Sequence, residues 1–149
     1  MIAVTLGAIT VSLPGIPSSW NSRPVAQPPE VVASSTAFCN DQGDSLVVYL
    51  TPGTLQRMKH DLQAFLDVPS SSQWEVIEAQ SDVEFAGHKG FKVQTVLSRH
   101  IRQSQYFFES QELRNELLAL VVTAGPQTVH GNWDFIFAGM KLEKTRRTR

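Results

Sequence analysis

Apolar and polar residues alternate with a period of two over Ile9, Thr10, Val11, Ser12 and Leu13, which predicts a half-buried strand closed by Pro14-Gly15. The next stretch, residues 14 to 30, holds five of the eight prolines and reads as a surface excursion. Val31 to Phe38 is strand-like, and Asn40-Asp41-Gln42-Gly43 is a turn. Ser45 to Leu50 (SLVVYL) reads as a β-branched strand, apolar on both faces. Leu55, Met58, Leu62, Phe65 and Leu66 then fall on one stripe at helical spacing. Thr51 is placed as the cap of that helix, with Pro52 in its first turn. The helix stops near Asp67, ahead of Pro69 and three serines.

Strands follow around Trp74 to Ile77, at Val83 to Phe85, over FKVQTVLSRH after the turn Gly87-His88-Lys89-Gly90, at QYFFES and at ELLALVVTA. A second helix is expected from Pro126 through Val129, Trp133, Ile136, Phe137 and Met140, although Gly131 weakens it by about 1 kcal/mol relative to alanine. Consecutive meander strands without strict β-α-β alternation predict an α+β fold, with a central antiparallel sheet and two main helices. A length of 149 residues fits a single domain, read here as 1–140 with a basic tail at 141–149.

The formal charge of −1 hides an asymmetry: the tail KLEKTRRTR carries five basic residues and one acid, leaving eight basic against thirteen acidic in the rest. A short tail without aromatic residues reads as a solubilising end, so no nucleic-acid partner is expected, the alternative being a phosphate-binding arm. The opening MIAVTLGAITVSLPG has no basic residue before Arg23 and is interrupted by polar residues. It reads as a strand and not as a secretion signal, which implies a cytoplasmic protein with no membrane span.

Motifs for chemistry are sparse. His60, His88, His100 and His130 stand at no metal-ligand spacing with one another or with Cys39. Cys39 alone forms no intramolecular disulfide, and it is a nucleophile only with a histidine such as His88 or His100 beside it. Glu75, Glu78, Asp82 and Glu84 read as solvated strand residues. The expectation is a non-enzymatic protein that needs no cofactor and no metal.

The apolar excess on the strands is the informative feature. In LVVYL, YFF and LLALVV both alternating sets are apolar, so one set can face the helices while the other meets a second layer, a partner or a ligand. Val47, Tyr49, Tyr106, Phe108, Leu118 and Leu120 are the partner-binding candidates, on an open sheet face that would hold an apolar helix.

The succession ITVSLPG, a proline-rich excursion, VVYLTPGTLQRMKHDLQAFL, EFAGHKGFKV, QSQYFFES, LLALVVTA and NWDFIFAGMKLE resembles the DcrB-like family within the PsbP/Mog-type α/β/α superfold. The resemblance runs from about Ile9 to about Glu143. It implies non-enzymatic binding. It points to the effector-associated chaperone branch of bacterial type VI secretion, whose members shield an apolar N-terminal helix of a partner, often as a homodimer. The alternative it leaves open is an envelope-associated, periplasmic or lipoprotein-type binding domain whose leader is absent.

Overall fold

The computed structural model describes residues 2–23, 35–67, 75–97, 101–126, 128 and 132–145. Among these, two antiparallel sheets form the two layers of the molecule. The small one is three-stranded: β1 (Ile2–Leu6) and β2 (Ile9–Leu13) form a hairpin, and β10 (Lys141–Lys144) pairs with the free side of β2. The large one is seven-stranded, in the order β3-β4-β5-β9-β8-β7-β6. Its strands are β3 (Asn21–Arg23), β4 (Ser35–Cys39), β5 (Ser45–Pro52), β6 (Glu75–Phe85), β7 (His88–Leu97), β8 (Ile101–Phe108) and β9 (Glu116–Thr123).

The core lies between the sheets. From the small sheet come Val4, Leu6, Ile9, Val11 and Leu13, all buried. From the large sheet come Phe38, Leu46, Val48, Tyr106, Phe108, Leu118, Leu120 and Val122. The pairings Leu46↔Val122, Val48↔Leu120, Tyr106↔Leu120 and Phe108↔Leu118 put these residues on one face, here the inner face. Trp133, Ile136, Phe137 and Met140 seal the layer, with the Phe137 ring 4.3 Å from Tyr106 and 5.1 Å from Phe85 between centroids.

The expectation of two main helices is overturned. Among the described residues there is one α-helix, α1 (Leu55–Asp67), and strands dominate. Among its described residues, the segment expected to be the second helix holds only a four-residue 3-10 turn, Asp134–Phe137, after which Ala138 is extended, Gly139 has φ +72° and β10 begins. Two causes are local. The Asp134 N–H donates to Asn132 Oδ1 at 3.0 Å, a turn that competes with helical bonding. The left-handed Gly139 then redirects the chain. Spacings of three and four residues bury Trp133, Ile136 and Phe137 on a 3-10 turn as they would on a helix. Val129 and Gly131 of that expected helix lie outside the described residues.

α1 also starts later than expected. β5 continues through Pro52, Gly53 turns the chain at φ +127°, and Thr54 is the cap, its Oγ1 accepting from the Arg57 N–H at 3.2 Å. The β6–β7 hairpin turns at Ala86-Gly87 (φ 51° and 83°), as a two-residue turn of this hand requires, rather than at Gly87 to Gly90. The boundary placed before Lys141 coincides with the start of β10, so residues 141–144 are sheet.

One buried carboxylate locks the β4–β5 connection. Asp44 Oδ1 accepts from the Gly125 N–H at 2.7 Å and from the Thr128 hydroxyl, while Oδ2 accepts from Asn40 Nδ2 at 2.9 Å. The carboxylate thereby fastens that turn to the chain leaving β9.

Gly90 on β7 allows close packing of β8: a Cβ there would stand 2.5 Å from both the Phe107 carbonyl oxygen and the Phe108 ring. Gly90→Ala is expected to destabilise the fold by about 2–3 kcal/mol, read as a lowered urea midpoint with an unchanged m-value. A neutral outcome would contradict this packing.

Candidate protein-docking face

The outer face of the large sheet is covered unevenly. α1 lies across it with Leu55, Met58 and Leu62 packed on Phe91 and Val93 of β7, Phe107 of β8, and Leu117 and Ala119 of β9. Lys59 extends over the Phe91 ring, 5.1 Å from its centroid, and pairs with Asp82 on β6. The Glu109 carboxylate accepts from the Leu55 N–H at 2.9 Å, placing negative charge at the N-terminus of α1.

The remainder of this face, over β4, β5, β9 and the start of β8, is half-buried. Register places Ala37, Val47, Val121 and Gln105 in one row across four strands, since Ala37 pairs with Val47, Val47 with Val121 and Val121 with Gln105. Tyr49 stands at the seam, packed against the residues under α1, and burial raises its hydroxyl pKa. Along the far side the Gln105 amide donates to Gln103 Oε1 at 3.1 Å, and the Gln103 amide donates to Thr123 Oγ1 at 3.2 Å. The strip is therefore an apolar row bordered by an ordered amide ladder, with the helix as one wall.

The six expected contacts do not share a face. Val47 and Tyr49 are on the outer strip, half-buried. Tyr106, Phe108, Leu118 and Leu120 are core residues on the inner face with no exposed surface, closed off by the small sheet and by Phe137. Those four are corrected from contacts to core. Their apolar character gave no parity; only the pairing register does. Val121, Gln103 and Gln105, which belong to the strip, escaped notice because Val121 sits in a uniformly apolar run. The alternation Gln103-Ser104-Gln105-Tyr106 was the available signal, since it sets both glutamines opposite Tyr106.

The thiol–histidine pairing considered from sequence is not assembled with His88. Cys39 lies at the outer face opposite Ser45, whereas His88 is at the other end of the sheet, opposite Phe85 in a row that faces inward. His60 is exposed, 3.6 Å from Asp61; His100 and His130 lie outside the described residues. Glu84 is exposed, and the side chains of Glu75 and Glu78 fall outside the description. Among the described residues no group of three or more His, Cys, Asp or Glu could hold a metal ion, and no helix is long and apolar enough to cross a membrane.

A polar cluster at the inner layer is structural. Lys92 Nζ donates to Asp134 Oδ1 at 2.9 Å, the Tyr106 hydroxyl donates to the same oxygen at 2.8 Å, and Lys92 lies over the Tyr106 ring. The group fastens the 3-10 turn to β7 and β8. An open groove beside α1, lined by Leu55, Lys59, Asp82, Val83, Lys89 and Glu109 among others, has mixed charge on its walls.

No protein-family model matches the chain, and no curated protein matches it. Among solved structures the chain is similar to the solution structure of cyanobacterial PsbP (CyanoP) from Synechocystis sp. PCC 6803, at 11% identity and a TM-score of 0.49, with 83% of this chain and 84% of that one covered. That likeness says nothing of a DcrB-like relationship or of secretion.

Burial, followed by the hydrogen bond to Asp134 and its charge, holds the Tyr106 hydroxyl protonated well above the ordinary tyrosine range. In the unfolded chain it ionises at about 10. Above that value the unfolded state binds fewer protons than the folded one, so this contribution is complete below about pH 10 and declines as pH rises further. Tyr106→Phe is expected to cost about 1–2 kcal/mol at neutral pH and to flatten the alkaline loss of stability, measured by urea unfolding at neutral and alkaline pH. An unchanged alkaline slope would contradict the buried, Asp134-bonded hydroxyl.

Proposed function

We propose that this chain is a non-enzymatic protein-binding domain, a chaperone or adaptor, whose docking surface is the outer strip of Val47, Tyr49, Val121 and Gln105. The observation that supports it most is the uneven cover of the large sheet. Among the described residues, the small sheet and the segment Trp133 to Met140 bury the centre of one face, while α1 covers only part of the other, leaving an apolar row half-buried beside a helical wall. A strip bounded by a helix on one side and polar amides on the other suits an amphipathic helix, with the apolar stripe of that helix on Val47 and Val121 and its polar flank on Gln103 and Gln105. The occupant proposed is an apolar N-terminal helix of a partner protein, of the kind implied by the resemblance to secretion-effector chaperones. Such a role places the chain in the cytoplasm.

The test is site-specific photocrosslinking in the native host. Benzoylphenylalanine at Val47 is expected to give a stoichiometric adduct whose crosslinked peptide, identified by mass spectrometry, is an apolar helical segment. The same probe at Ser18, exposed on the connection after β2, is expected to give none. In the Val47 background, Val121→Glu is expected to abolish the adduct while changing stability by less than about 1 kcal/mol. Adducts that survive Val121→Glu, or that form equally from Ser18, would overturn the assignment.

A further inference from the structure

Beside the apolar row of the outer strip runs a polar one. Cys39 pairs with Ser45, Ser45 with Thr123, Thr123 with Gln103 and Gln103 with Thr95, so these residues stand in line across β4, β5, β9, β8 and β7. Each is two residues along its strand from the row of Ala37, Val47, Val121, Gln105 and Val93, so both rows lie on the same face, about 7 Å apart. Cys39, Ser45, Thr123 and Gln103 are half-buried, and neither row contains a charged side chain.

The hydrogen bonds along this border run one way. The Gln105 amide donates to Gln103 Oε1 at 3.1 Å, and Gln103 Nε2 donates in turn to Thr123 Oγ1 at 3.2 Å. Gln103 stands between two hydroxyls of its row, those of Thr95 and Thr123, and turns to the one on the strip side. The Thr95 hydroxyl, on a residue 2% exposed, is left without a hydrogen-bond partner. Thr123 accepts on its oxygen, so its own proton is the loose end of the chain and meets no acceptor among the described residues. The Ser45 hydroxyl opposite it makes no hydrogen bond among them either. Bonds aligned in sequence polarise one another, which strengthens the terminal donor.

We infer that the strip selects a helix with an acidic flank, whose Asp or Glu carboxylates accept from Thr123 and Ser45. This specificity rests on the docking reading above and names the chemistry of its occupant. A carboxylate accepts from several donors at once, and hydrogen bonds to a charged acceptor are stronger than neutral ones. A lysine flank finds no carboxylate in either row. With the apolar stripe on Val47 and Val121 and the acidic flank on Ser45 and Thr123, the rotation of the docked helix about its own axis is fixed. From Ala37 to Gln105 the apolar row crosses four strands, about 14 Å, which about nine or ten residues of α-helix cover.

The test is fluorescence anisotropy of the whole chain with labelled helical peptides that share one apolar stripe and differ only in the flank beside it, glutamate, glutamine or lysine. The glutamate peptide is expected to bind about tenfold tighter than the lysine peptide, the scale of one hydrogen bond to a charged group. A chain of net charge −1 gives the glutamate peptide no bulk advantage, so this order reports the local donors. Thr123→Val keeps the shape of the side chain and removes the donor; it is expected to take away most of the preference. Thr123→Ser keeps the hydroxyl and is expected to retain it. Equal binding of the peptides, tighter binding of the lysine peptide, a preference undiminished in Thr123→Val or one lost in Thr123→Ser overturns the acidic flank while the docking reading stands. Failure of every peptide to bind overturns both, since the strip then takes no amphipathic helix.

Discussion

The pairing of β10 with β2 is the constraint on which the rest depends. It joins two ends of the described chain, with Thr10 and Thr145 in side-chain contact although 135 residues apart in sequence. Closing so long a loop costs entropy, but that cost grows only slowly with length. The closure is offset by the burial of apolar side chains from both sheets, at about 25 cal/mol per Å² of apolar surface. Without β10 the small sheet would be a two-stranded hairpin held only by its packing on the large sheet, and two strands alone are marginal in water. Completed to three strands, the small sheet covers the inner face of the large one and decides which face remains for other work.

Polar groups fix how the layers and loops meet. Asp44 fastens the β4–β5 connection to the chain after β9, and Asp134, held by Lys92 and Tyr106, fastens the 3-10 turn to β7 and β8. Both are carboxylates with several donors, the arrangement in which a buried or half-buried charge is tolerated. They hold β5 and β9 on one side, and β7 and β8 on the other, in a fixed register. The outer strip is therefore presented by strands that are rigid on their reverse side. A docking surface built on such strands loses little conformational entropy when it is occupied.

Much of the strand content was legible from period-two alternation, as in Ile9 to Leu13, and from turn residues, as at Asn40 to Gly43. α1 was legible from its apolar stripe, with its start displaced because Gly53 interposes a turn between β5 and Thr54. The closing segment was misread because Trp133, Ile136 and Phe137 satisfy a helical spacing and a 3-10 turn alike. The short charged strand after it carries only one apolar residue, Leu142. The outer face was legible only in part. Val47 and Tyr49 lie on it, but wholly apolar strands such as LLALVV conceal their parity, so Leu118 and Leu120, expected beside them, belong to the core. Register is a property of pairing between distant strands, and a uniformly apolar run does not encode it locally.

The account rests on the two faces of β9 being unequal. Leu120 and Val121 are adjacent, one fully buried under the small sheet and the other on the outer strip. Leu120→Cys and Val121→Cys, each in a Cys39→Ser background, would be reacted with a thiol reagent under native conditions. The Val121→Cys thiol is expected to react rapidly, at a rate insensitive to global stability. The Leu120→Cys thiol is expected to react only through unfolding, accelerating with added urea. Equal protection of the two, or faster reaction at position 120, would contradict the closed inner face and the open outer strip together.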